Sequence, residues 1–115
     1  MVVTDSYQRQ CAIIGEKTLP ALEAAHIKPY AQNVPHSVTN GILLKSDFHT
    51  LSEGGYITID KDFRVDVSKR LDEDYGNGKD YYKYHGQKLL ILPEKQIEMP
   101  SREYLRWHNE TVFLG

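Results

Sequence analysis

The chain has 115 residues, 40% of them hydrophobic and 26% charged, a balance that suits one globular domain with a modest core. No apolar run approaches the roughly 20 residues of a membrane-spanning helix, and the polar N-terminus does not read as a secretory signal. The lone Cys11 excludes an internal disulfide, and a net charge of −2 argues against a partner held by bulk positive charge. The acids are unevenly placed. Residues 60–80 hold Asp60, Asp62, Asp66, Asp72, Glu73, Asp74 and Asp80, whereas residues 20–46 hold only Glu23 against Lys28 and Lys45.

Residues 4–10 are expected to form a short helix capped by Thr4 or Asp5, leading into a strand-like Cys11-Ala12-Ile13-Ile14 that Gly15 turns. Leu19 to Ile27 reads as a second strand, interrupted by Pro20, and residues 28–39 have loop composition with Pro29 and Pro35. A helix is predicted from Ser46, with Ser46 as N-cap, Asp47 in the first turn, Phe48 and Leu51 facing inward, and Gly54-Gly55 as the stop. Tyr56-Ile57-Thr58-Ile59 and Phe63-Arg64-Val65-Asp66-Val67 alternate on either side of Asp60-Lys61-Asp62, which predicts a β-hairpin. Residues 69–88 are polar and Tyr-rich, with Gly76-Asn77-Gly78 as a loop, and Leu89-Leu90-Ile91-Leu92 reads as a short buried strand ended by Pro93. After Pro100-Ser101 a helix of about 11 residues places Leu105, His108 and Val112 on one face.

His26, Asn40 and His49 stand out against this background, spaced as H-x13-N-x8-H. A strand-borne histidine, a loop asparagine and a helix-borne histidine are the parts needed to cut a phosphodiester around one divalent metal. Such hydrolysis needs a base for the attacking water, charge neutralisation on the phosphate and relief of charge on the leaving oxygen. Histidine suits the first task when one ring nitrogen is held and the other faces water.

These residues resemble the HNH endonucleases, in the branch found among bacterial restriction-type nucleases. The resemblance is carried by Gln10–Gly15, Leu22–Tyr30, Asn40–Leu44, Asp47–Gly55 and Leu105–His108, and covers about residues 9 to 113. It implies an α+β fold with a ββα-metal core, built here from hairpin-like strands around residues 11–27, the Asn40 loop and the His49 helix, with a second β-hairpin and a C-terminal helix packed around it. It implies divalent-metal-dependent cleavage of DNA to 5′-phosphate and 3′-hydroxyl ends, in restriction or genome defence. In that scheme His26 is the general base, Asn40 braces the motif and His49 ligates the metal. The ion is expected to be Mg2+ or Mn2+, with Zn2+ or Ni2+ as alternatives. Residues 1–115 would be a single nuclease domain, the C-terminal module of a longer protein, working in the bacterial cytoplasm on DNA without a membrane, with a homodimer supplying the second cut of a duplex.

Two departures from the family pattern matter. Many HNH enzymes carry a metal ligand just before the general base, and here that position is Ala25. Glu53 is the expected replacement, since it lies four residues after His49 on one helix face; Asp47 and Glu23 are further candidates. An acid introduced at position 25 is then expected to strengthen metal binding. The second departure is that Ile14 stands where a second cysteine would follow Cys11, so no structural zinc is expected and Cys11 reads as a core residue. The rival to an active enzyme is an HNH-like DNA-binding or assembly module that has lost catalysis, motivated by Ala25. His36 and His85 read as surface residues, His108 as a packing residue, and Tyr81-Tyr82-Lys83-Tyr84 as a partly buried edge.

Overall fold

The computed structural model describes residues 2–28, 38–76 and 78–115. Most of the expected loop at 28–39, with His36, and the tip residue Asn77 lie outside the described residues. Helix α1 (Val2–Ser6) begins and ends earlier than its capping residues suggest, and the chain leaves it through Gln8 and Arg9 with φ of 53° and 57°. A 3-10 turn at Leu19–Ala21, with Pro20 in its first turn, delivers the chain into β1 (Leu22–His26). A second 3-10 turn (Val38–Asn40) opens β2 (Gly41–Lys45), which pairs antiparallel with β1 from Leu22↔Lys45 to His26↔Gly41. Strand β2 runs without a break into helix α2 (Ser46–Glu53), so no loop separates the strand pair from the helix.

The hairpin therefore differs from the one expected around residues 11–27. Its partner strand is Gly41–Lys45, and residues 11–14 are not a strand. Gly15 N–H donates to Cys11 O at 2.8 Å and closes a helical-type turn, so only Ala12 N–H reaches β2, donating to Leu43 O at 2.8 Å. Cys11 and Ala12 are fully enclosed, and Cys11 Sγ accepts the Lys45 amide at 3.4 Å. The apolar run is buried as a plug against the edge of β2.

The predicted second hairpin is present as β3 (Ile57–Ile59) and β4 (Val65–Val67), in register Ile57↔Val67 to Ile59↔Val65. At the junction between α2 and β3, Gly55 adopts φ 85°, and a Cβ there would meet Val112 O at 2.4 Å. Only glycine lets the chain turn so close to the C-terminal tail. Residues 69–88, to which the sequence assigns no element beyond the Gly76–Gly78 loop, contain two short helices, α3 (Arg70–Tyr75) and α4 (Lys79–Tyr82). Tyr81 and Tyr84 meet the buried ring of Phe48 edge-on, with centroids 5.8 and 5.6 Å away. Residues 89–92 form no strand either: Leu89 is buried but Leu90 is exposed, and the segment is tied by Leu89 N–H to Phe63 O and Ile91 N–H to Ala12 O.

Helix α5 (Arg102–Thr111) starts at Ser101, whose hydroxyl accepts the Tyr104 amide. It turns Leu105 and His108 into the core. His108 joins three elements. Its Nε2–H donates to Ser52 O at 3.0 Å at the end of α2, which leaves Nδ1 to accept the Thr58 hydroxyl of β3 at 2.7 Å. Among the described residues no helix is long and apolar enough to cross a membrane.

Burial pushes the His108 pKa below its ordinary value, opposed in part by the Ser52 carbonyl. The unfolded chain therefore takes up a proton at His108 before the folded protein does. The stability held at this site is present above about pH 6.5 and is lost as the pH falls from there towards the lowered folded value. Urea unfolding across about pH 5 to 8 should show wild type losing stability on acidification more steeply than His108→Gln; equal slopes would remove His108 from this role.

Candidate active site

Asn40 ends the turn before β2 with its side chain almost fully enclosed. Its Oδ1 accepts the Lys28 amide at 2.9 Å and its Nδ2 donates to Lys28 O at 3.0 Å, while its own carbonyl accepts the Ile27 amide at 2.9 Å. These bonds clamp the chain just past His26 to the start of β2. His26, the last residue of β1, is exposed, and alternation along the strand puts it on the same side as Ala24.

His49 lies in the first turn of α2, and the direct β2–α2 junction brings it over β1. Its Nδ1 is 2.5 Å from Glu23 Oε1, and its Nε2 is 3.7 Å from Glu53 Oε1. His26, His49, Ser52, Glu53 and His108 all line one open recess of about 310 Å3. The structure thus brings His26, His49 and Glu53 together, with Asn40 behind them as a brace.

Asp47 is not part of this group. Its Oδ1 accepts the Phe48 amide at 3.0 Å and its Oδ2 accepts the Tyr81 hydroxyl at 3.0 Å. Burial, and after it the Asp47 carboxylate, push the Tyr81 pKa up to about 12, so the phenol stays a donor. Two residues along a helix turn about 200°, which carries Asp47 to the α4 side while His49 faces β1. Ala25 is also placed differently from what a missing ligand suggests. It pairs with Ile42 and is buried in the core, on the face of β1 opposite His26. The expectation that an acid at position 25 would add a ligand is corrected by this packing.

Residues 11–60 match the sequence pattern of a family described as HNH endonuclease. The match is confined to that segment, which is less than half of the chain. It contains His26, Asn40, His49 and Glu53, and it ends inside the hairpin connection before β4. A likeness of fold extends beyond the matched segment: the solved structure of the modification-dependent TagI restriction endonuclease superposes with a TM-score of 0.60 over 96% of this chain. Identity is 16%, so the likeness is one of fold, and this chain spans 35% of that protein's length. No curated protein matches the chain.

The donor set of this recess suits a hard divalent cation. His49 Nε2 and Glu53 Oε1 are too far apart for a hydrogen bond and flank one space in the recess, and such ions are commonly held by one or two protein groups with water filling the rest. Among the described residues no three His, Cys, Asp or Glu side chains converge on one cation position. Glu23, a further carboxylate candidate from the sequence, meets His49 Nδ1, on the ring nitrogen away from Glu53. Its pairing opposite Leu44, next to the β2–α2 junction, is the signal that places it beside His49.

Asn40→Ala removes both side-chain bonds to the Lys28 backbone and should lower unfolding free energy by about 1–3 kcal/mol in urea titration. A loss too small to measure would show that the clamp is dispensable. Ala25→Asp buries a carboxylate among apolar side chains and should cost on the order of 3 kcal/mol in the same assay, with no gain in Mn2+ affinity. Tighter Mn2+ binding by that variant would overturn the placement of Ala25.

Proposed function

We propose that this domain is a divalent-metal-dependent DNA endonuclease of the HNH type, acting in restriction or genome defence. The observation that carries this reading is the recess in which an exposed strand histidine faces a helix histidine and a glutamate 3.7 Å from it, all set by the Asn40 clamp. His26 takes the proton from the attacking water. Asn40 holds the end of β1 so that His26 keeps its distance from α2. His49 and Glu53 would hold the metal, which supplies charge neutralisation to the scissile phosphate and the leaving 3′-oxygen. Cleavage then leaves 5′-phosphate and 3′-hydroxyl ends. Mg2+ or Mn2+ fits a site of one imidazole and one carboxylate completed by water and phosphate. The likeness to part of a restriction endonuclease supports a cleavage module of a larger restriction-type protein, and two such modules would cut both strands.

A second reading, a non-catalytic DNA-binding module, is favoured by the burial of Ala25, which denies β1 a ligand of its own. The two readings part in a plasmid-nicking assay with Mn2+. His26→Ala should slow nicking by about 10²–10⁴-fold while Mn2+ affinity by calorimetry stays within a few-fold of wild type. His49→Ala and Glu53→Ala should lose both, and Asp47→Ala should keep Mn2+ affinity. Metal-independent DNA binding without nicking by wild type would favour the inactive module, and loss of metal by Asp47→Ala but not Glu53→Ala would move the ligand to Asp47.

A further inference from the structure

Glu23 and His49 make a shorter contact than the exposed Arg9–Asp5, Arg70–Asp74 and His85–Asp66 pairs among the described residues. The Glu23 Oε1 to His49 Nδ1 distance is 2.5 Å, whereas Arg9–Asp5 and Arg70–Asp74 lie at 3.8 and 3.2 Å. An ionised carboxylate can only accept, so the proton in this contact belongs to His49 Nδ1. In neutral imidazole the other nitrogen then carries a lone pair. That nitrogen, Nε2, is the one 3.7 Å from Glu53 Oε1, beyond hydrogen-bond range, so the two face a shared space. The contact spans two elements: Glu23 sits on β1 three residues before His26, and His49 sits on α2.

Given the assignment of His49 and Glu53 as metal ligands above, we propose that Glu23 is a positioning residue whose carboxylate fixes the His49 ring with its proton on Nδ1, leaving Nε2 bare and aimed beside Glu53 for a divalent cation. A metal-bound histidine is commonly held in this way, the partner on its second nitrogen setting both tautomer and ring orientation. Because Glu23 and His26 share one strand, the same five residues of β1 orient the metal ligand and present the base. A surface ion pair of the ordinary kind would contribute little to stability and nothing to the tautomer.

The test is made on the metal-free protein first. Proton–nitrogen correlation of the histidine rings at about pH 8, where an ordinary imidazole is neutral, should show His49 protonated on Nδ1. In Glu23→Ala the proton should move largely to Nε2, and Mn2+ affinity by calorimetry should fall about 10–100-fold. Glu23→Gln keeps an accepting amide oxygen and should retain the Nδ1 proton with a smaller loss of affinity, which also guards against a folding defect in the alanine variant. Nε2 protonation in wild type, or an unchanged tautomer and Mn2+ affinity in Glu23→Ala, would overturn the proposal. Wild type that binds Mn2+ with the expected tautomer but fails to nick DNA would refute the nuclease reading and leave Glu23 in its role; normal nicking with a tautomer indifferent to Glu23 would do the reverse.

Discussion

Two hydrogen bonds between the Asn40 amide and the backbone of Lys28 hold the β1–β2 pair closed just past His26. The named strands pair as far as His26↔Gly41, and so short a ladder frays readily at its ends. Past that pair the Ile27 amide still reaches the Asn40 carbonyl, and the Asn40 side chain adds its two bonds to Lys28. It fixes His26 at the mouth of the recess, and through β2 it fixes the start of α2, because no loop lies between Lys45 and Ser46. The separation between the strand histidine and the helix histidine is therefore a property of one rigid unit.

The carboxylates near His49 show how position divides labour among chemically similar groups. Glu23 reaches Nδ1 from β1, Glu53 stands near Nε2 from the next turn of α2, and Asp47 is drawn to the opposite side by Tyr81 and the Phe48 amide. Each acid has its place set by a different element. The aromatic pair around Phe48 anchors the outer face of α2, and full burial of a side chain that size stabilises by roughly 1.5–3 kcal/mol.

The second hairpin and α5 support the same unit from below. His108 links the last turn of α2, the middle of β3 and α5 through two hydrogen bonds, and its side chain also borders the recess. A buried neutral imidazole that uses both nitrogens is a specific joint between packed elements, where an apolar residue of similar volume would permit sliding. The close approach of Val112 to Gly55 brings the chain's end to the same junction.

Sequence alone determined the identities and spacing of His26, Asn40, His49 and Glu53, the β3–β4 hairpin from its strict alternation, and the start of α5 from Pro100-Ser101 and its inward Leu105 and His108. Those are local properties, in which period and turn chemistry say how a side chain leaves its own backbone. The tertiary structure decided that Gly41–Lys45 is the partner of β1, that 11–13 are buried without being a strand, that 89–92 bury Leu89 while exposing Leu90 and form no strand, and that the Tyr-rich stretch folds into α3 and α4 against Phe48. An apolar run reports burial, and burial is reached equally well by a plug or a strand. Tertiary packing also decided that Glu23 meets His49, that Asp47 does not reach the recess, and that Ala25 faces the core. Which side chains meet across two elements depends on register and on the path between them, and here that path is the direct β2–α2 junction, whose consequences no spacing along the chain encodes.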